Sequence, residues 1–366
     1  MKDRLFTFNF KSIQIPTAFI LSLLVIFSIE AFVYYRKEIS LDWLSLLVSE
    51  KYSIISERNG NDYPQIVVFG DSQIFHVNPG AVAEAFNLDE SKVINLSWPF
   101  FGAEAYEYVW YTYINKNKPP DFIIMNFSPT YVAQNTDKLL SQTDPVIRNR
   151  MYLISSPRVL IPLLWRDKSY ESLYDYVIYL SSPPSLRHSE HLNLQLKSFI
   201  LNGHLLNPSV EDSRRINEQK SIGSFTIYNQ ESLEEKNHIE TKMLVTKYLG
   251  EMKSEPDPIV LKRFENFLSA TQSTGTQVIL LNGPLSPLFK DLFTEAGALK
   301  SYNLVIKEWE SKHQNFHAIQ PYLYELNNDS FGDPGHVNRK GNLLHQVNYI
   351  QQLTEFIRFY HSNNKY

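Results

Sequence analysis

A chain of 366 residues with 43% hydrophobic side chains can bury one large core or two modest ones, which excludes a disordered polymer. Its 35 lysines and arginines against 39 acidic residues leave a formal charge of −4, so it offers no broad cationic field for a nucleic-acid backbone. The absence of cysteine rules out disulfides, thiolate metal sites and cysteine nucleophiles, and the 13 glycines form neither GxGxxG nor GxxxxGKS/T, the loops that cradle phosphates.

The first element runs from Ile13 to Tyr35, IQIPTAFILSLLVIFSIEAFVYY. A hydrocarbon core of about 30 Å needs ~20 mostly apolar residues in helix, and this stretch is long enough. Its one formal charge, Glu30, lies near the C-terminal end, and Tyr34 and Tyr35 are placed as interfacial aromatics. Lys2, Arg4 and Lys11 precede the run and Arg36 and Lys37 follow it, a balance that tilts the N-terminus toward the cytoplasm. No small-x-small cleavage site follows in SIEAFVYYRK, so the sequence predicts an uncleaved transmembrane anchor with the rest of the chain outside the cytoplasm. The membrane is thus the first expected partner.

Residues 38–62 read as a membrane-proximal connector with one amphipathic helix, LDWLSLLVSEKYSII. The first strong strand is Gln65–Phe69, QIVVF, ending at Gly70. Asn78-Pro79 then supplies a helix cap and a favoured first helical residue before GAVAEAF. A second strand over 93–97, VINLS, leads through WPFFG into an aromatic helix, AEAYEYVWYTYI. A third over 121–127, DFIIMNF, ends at Ser128-Pro129. Near-continuous apolar strands alternating with helices predict a parallel sheet covered on both faces.

The pattern resumes at Thr276–Leu281, TQVILL, followed by Asn282-Gly283-Pro284, a helical stretch and the C-terminal segment FGDPGHVNRKGNLLHQVNYIQQLTEFIRFY. The expected organisation is an N-terminal tail and anchor over 1–37 and the connector over 38–62. An α/β domain follows, split into 63–131 and 256–366 by a helical insertion over 132–255 that covers or shapes the site.

Ser72, in VVFGDSQ, falls at the carboxyl end of a parallel strand, where open α/β sheets bind ligands, and Gly70 allows the tight turn. By itself Gly-Asp-Ser is a common turn. It gains weight from Asp333-Pro334-Gly335-His336 near the other end of the chain. There a carboxylate three residues before an imidazole can fix the ring tautomer while the ring takes the serine proton.

GDSQ at 70–73, NLSWPFFG at 95–102 and DPGHVNRKG at 333–341 resemble the ordered blocks of the SGNH/GDSL hydrolase superfamily, in three short pieces over about half the chain. The resemblance implies a three-layer α/β/α, flavodoxin-like domain. It also implies Ser72 as nucleophile, Asp333 and His336 as the other triad members, and Gly102 as a backbone oxyanion donor beside the Ser72 N–H. The superfamily's Gly-x-Asn-Asp block is missing, since the third strand ends MNFSPTYV. Asn126 and Ser128 are the substitutes at hand, although a strand asparagine is more often a structural hydrogen bonder.

The strand ending in Ser-Pro and the single N-terminal span are similar to the envelope acyl-transfer branch, the alginate O-acetylation proteins and the teichoic-acid D-alanyl transfer protein. From that similarity follow an acyl donor, an envelope glycan or small ester as substrate, a membrane-bound acyl-transfer partner, and no cofactor. An esterase and a non-catalytic envelope binding or assembly protein on the same fold are the rivals. His313 with His317, and His188 with His191, could each form half a metal site, but neither an HExxH pattern nor a third ligand accompanies them, so no metal is expected. Tyr106, Tyr108, Trp110, Tyr111 and Tyr113 surround a helix and are expected mostly in the core rather than on a sugar.

Overall fold

The computed structural model describes residues 17–35, 43–58, 63–75, 77–98, 103–115, 118–133, 152–187, 189–203 and 254–363. The elements in chain order are α1 (Thr17–Tyr35), α2 (Trp43–Glu57), β1 (Ile66–Phe69), α3 (Pro79–Ala85), β2 (Val93–Asn95), α4 (Ala103–Val109), β3 (Phe122–Met125) and α5 (Pro129–Ala133). Four helices come next: α6 (Pro157–Arg166), α7 (Tyr170–Ser181), α8 (Pro184–Arg187) and α9 (Ser189–Asn202). The remainder is α10 (Pro258–Ser273), β4 (Gln277–Leu280), α11 (Pro287–Glu295), α12 (Ala298–Lys312), β5 (Phe316–Ala318), the hairpin β6 (Phe331–Asp333) and β7 (His336–Val337), and α13 (Arg339–Asn363).

Five short apolar runs pair into one parallel sheet in the order β2-β1-β3-β4-β5. β1 lies inside it, in register with Val93 to Asn95 on one side and Phe122 to Met125 on the other. Because strand side chains alternate between faces, Ile66, Val68, Ile124 and Ile279 form one core with α3 and with Tyr349, Leu353 and Ile357 of α13. Phe69 points to the opposite face, where its ring meets Tyr106 of α4 and Phe267 of α10. Phe264 of α10 and Trp309 of α12 extend that second core. Helices therefore cover both faces, as strands buried on both sides require.

The strands expected at 65–69, 93–97, 121–127 and 276–281 are β1 to β4, each trimmed at one or both ends. β5 has no counterpart among those expected. The aromatic helix continues beyond α4 as a π-helical turn over Trp110–Ile114, with Tyr106, Tyr108 and Trp110 fully buried and Tyr111 exposed.

The chain divides into two compact units, Met1–Leu46 with Val177–Asn207 and Leu47–Tyr176 with Pro208–Tyr366. The sheet and its hairpin belong to the second. Among the described residues no helix is long and apolar enough to cross a membrane. The transmembrane span expected from Ile13 to Tyr35 is thus not found as such: the 19 residues of α1 rise roughly 28 Å, just short of a hydrocarbon core. Ile13 to Pro16 lie outside the described residues, as do 134–151 and 204–253 of the expected insertion.

Candidate active site

The polypeptide leaves β1 through Gly70, Asp71 and Ser72, at the carboxyl end of the sheet and beside β3, where the strand order reverses. Open parallel sheets offer a crevice at that position. A Cβ on Gly70 would lie 2.0 Å from Asn126 Oδ1 and 2.9 Å from the Tyr106 hydroxyl, so only glycine fits between the two strand ends.

Asn126, fully buried just past β3, takes up the space that glycine leaves. Its Nδ2 donates to Asp71 Oδ1 at 2.7 Å, and its Oδ1 accepts the Asp71 N–H at 3.1 Å. The Tyr106 hydroxyl donates to the Asn126 carbonyl at 2.6 Å. Asp71 also accepts the Gln73 N–H at 2.8 Å, which folds the turn around Ser72. Burial pushes the Asp71 carboxyl above the usual carboxylate range, partly offset by the Gln73 N–H, the Asn126 amide, the His336 charge and the Tyr131 hydroxyl.

The third side of the turn comes from β2. Trp98 N–H donates to the Gly70 carbonyl at 3.1 Å, and Asn95 Nδ2 donates to the Val77 carbonyl at 2.9 Å. α2 supports this loop from behind: Lys51 Nζ donates to the Ser97 carbonyl at 3.0 Å and the Tyr52 hydroxyl to the Leu96 carbonyl at 3.1 Å. Lys51 is buried, with its ammonium 4.3 Å from the Phe75 ring centre. Burial lowers it to about 7.

The fourth side is the β6–β7 hairpin. Ser72 Oγ lies 2.7 Å from His336 Nε2, and His336 Nδ1 lies 2.9 and 3.0 Å from the two Asp333 carboxylate oxygens. A carboxylate can only accept, so the network assigns the proton to Nδ1 and leaves Nε2 to accept from the serine hydroxyl. Burial pushes the Asp333 carboxyl up. The His336 charge and ring hydrogen bond, with the Gly335 and His336 N–H groups, outweigh it and hold the acid below its ordinary range.

The hairpin is held in place at several points. Ser286, the N-cap of α11, donates to the Pro334 carbonyl at 2.7 Å, and Asn338 Nδ2 donates to the Asp329 carbonyl at 2.8 Å. A Cβ on Gly341 would sit 1.9 Å from the Ser330 carbonyl oxygen, which accounts for the glycine after Lys340.

Of the four residues expected at the site, the structure brings Ser72, Asp333 and His336 together, while Gly102 lies outside the described residues. The Ser72 N–H has no hydrogen-bond partner among the described residues. Asn126 spends its amide on Asp71. Ser128 is buried, its hydroxyl accepting the Thr130 N–H at 3.3 Å. His313 and His317 pair with different glutamines, Gln272 and Gln277, and His188 and the His191 side chain lie outside the described residues.

No protein-family model matches the chain, and no curated protein matches it either.

Two contributors had little signature in the sequence. Asp71 is visible as the middle letter of Gly-Asp-Ser, but its tie to Asn126 spans 55 positions. Lys51 sits in an amphipathic helix where a lysine reads as solvent-facing. The one available clue was its place on the apolar side, next to Tyr52 and between Val48 and Ile55.

Proposed function

We propose that the chain is an SGNH-type serine acyltransferase or esterase with a three-layer, flavodoxin-like catalytic domain, acting on the acyl esters of a cell-envelope glycan or a small ester. The observation that carries this reading is the continuous line from Ser72 Oγ through both nitrogens of His336 to Asp333. Ser72 Oγ attacks the acyl carbonyl as His336 Nε2 takes its proton, and Asp333 balances the imidazolium. Collapse of the tetrahedral adduct expels the donor alcohol, which receives that proton. An acceptor hydroxyl or water then repeats the sequence in reverse and frees Ser72. The Ser72 N–H is one oxyanion donor, and the resemblance of NLSWPFFG assigns a second to Gly102.

The helix α1 and the residues before it serve in this reading as an uncleaved membrane anchor, with the catalytic unit outside the cytoplasm and a membrane-bound donor protein as the acyl source. The 132–255 segment is the insertion that decides between water and a sugar hydroxyl as acceptor. No cofactor is called for by the serine mechanism.

A second reading, a non-catalytic envelope binding or assembly protein, is favoured by one observation: the Asn126 amide is committed to Asp71. A fluorophosphonate probe separates the two. The parent should be labelled at Ser72 and the Ser72→Ala variant should not, whereas a parent that resists the probe would leave only the binding role. Product analysis with and without a glycan acceptor then distinguishes transferase from esterase.

A further inference from the structure

Among the described residues of the unit formed by Met1–Leu46 and Val177–Asn207, many large apolar side chains face outward. On α9 two polar side chains are buried, Gln195 at 4% and Ser198 at 5% exposure, while Asn193 and Lys197 are exposed together with the apolar Leu194, Leu196 and Phe199, and Ile200 and Leu201 are 71% and 69% exposed. A helix folded against water buries its large apolar side chains instead. α1 follows the same rule on a larger scale. Its consecutive residues Leu23 to Phe27 are all exposed and, at 100° per residue, cover every side of the helix.

Glu30, Ser185 and Arg187 are satisfied within this unit. α8 packs against α1, and the Glu30 carboxylate accepts the Ser185 N–H at 3.0 Å together with the Ser185 hydroxyl. Arg187 is turned back onto the chain, donating to the Leu180 and Ser182 carbonyls at 2.7 Å each. Polar contacts inside and an apolar exterior are what a hydrocarbon solvent selects. A protein partner covers one side of a helix, but α1 has none of its sides polar from Leu23 to Phe27, so the occupant that suits the whole surface is a bilayer.

We propose that α9 enters the hydrocarbon of the membrane beside α1, as a second and non-crossing lipid contact. This rests on reading α1 as an anchor. The 14 residues of α9 rise roughly 21 Å, less than the ~30 Å of a hydrocarbon core, so the helix dips in without spanning. The Ser185 contact to Glu30 joins it to the end of α1 that carries Tyr34 and Tyr35, the level of the headgroups. Lys197 has the length to reach that level from within the apolar face.

Because the chain has no cysteine, single substitutions give unique labelling sites. The full-length protein is reconstituted in phosphatidylcholine–phosphatidylglycerol vesicles with an environment-sensitive fluorophore at Ile200→Cys, at Leu194→Cys, at Val25→Cys on α1, or at Ser311→Cys on the exposed surface of α12. Labels at Ile200 and Leu194 should lose fluorescence to nitroxides on the acyl chains and resist aqueous iodide, while the Ser311 label does the opposite. Iodide access at Ile200 and Leu194 with nitroxide quenching at Val25 overturns the proposal and leaves the anchor standing. Protection from both quenchers means that a second copy or another protein covers α9, which also overturns it. Nitroxide quenching at Ile200 without quenching at Val25 removes the anchor, and with it the proposal of a second contact beside α1. Iodide access at all three positions removes both.

Discussion

Asn126 and Asp71 are tied by two opposed hydrogen bonds, amide to carboxylate at 2.7 Å and backbone N–H to amide oxygen at 3.1 Å, so the end of β3 sets the turn that carries Ser72. Removing Asn126 by alanine leaves a buried carboxylate short of a donor. The expected cost is about 2–4 kcal/mol by chemical denaturation, with a fall in kcat from the loosened turn. Asp71→Asn is expected to keep the fold. Since burial raises the Asp71 acid in the folded protein, the parent should lose stability as pH rises above the ordinary carboxylate range. That loss should be smaller in Asp71→Asn. Equal stability of Asn126→Ala and parent would show that the clamp is ornamental.

The proposed triad predicts unequal costs for its members. Ser72→Ala and His336→Ala should each remove nearly all turnover of an aryl acetate, while Asp333→Ala retains on the order of tenfold to a hundredfold more than His336→Ala, because water or a carbonyl can still orient the ring. Parental turnover in His336→Ala would reduce the C-terminal hairpin to a structural turn.

Lys51 links stability to pH in a window of its own. Burial lowers it to about 7 in the folded protein against an ordinary 10.5, so between those values the unfolded chain binds the extra proton. Stability should rise with pH across that window, at up to about 1.4 kcal/mol per pH unit, and the rise should disappear in Lys51→Met. A denaturation series from pH 7 to 10 reads this directly. Identical slopes in parent and variant would mean that the ammonium keeps its water.

Gly70→Ala tests the packing at the strand ends. Its new methyl meets Asn126 Oδ1 and the Tyr106 hydroxyl, both on buried side chains, and the variant should be destabilised by several kcal/mol, on the order of the severest single substitutions, and lose activity. Gly275→Ala, whose methyl meets nothing within 4 Å, carries only the strain of its positive φ and should cost about 1 kcal/mol. Comparable melting temperatures for the two would place the fault in backbone strain rather than contact.

Much of this arrangement was legible in the amino-acid sequence, for identifiable reasons. β1 to β4 are β-branched runs bounded by turn residues, and Asn78 caps α3 through its Gly80 and Ala81 N–H groups, as the Asn-Pro pair implied. Asp333 and His336 could be paired because only the Pro334-Gly335 turn lies between them. β5 escaped because three residues containing His317 make too short and too polar a run to stand out. The Asn126 clamp and the burial of Lys51 depend on partners 55 and 46 positions distant, and local pattern does not carry such pairings.

The 264 positions between Ser72 and His336 also set a timetable. At a synthesis rate of roughly 5–20 residues per second, Ser72 is made about 13 to 50 seconds before His336. Throughout that interval the growing chain holds a serine that nothing deprotonates. Under the proposed serine mechanism, chains released short of the β6–β7 hairpin carry Ser72 without His336 and so lack esterase chemistry.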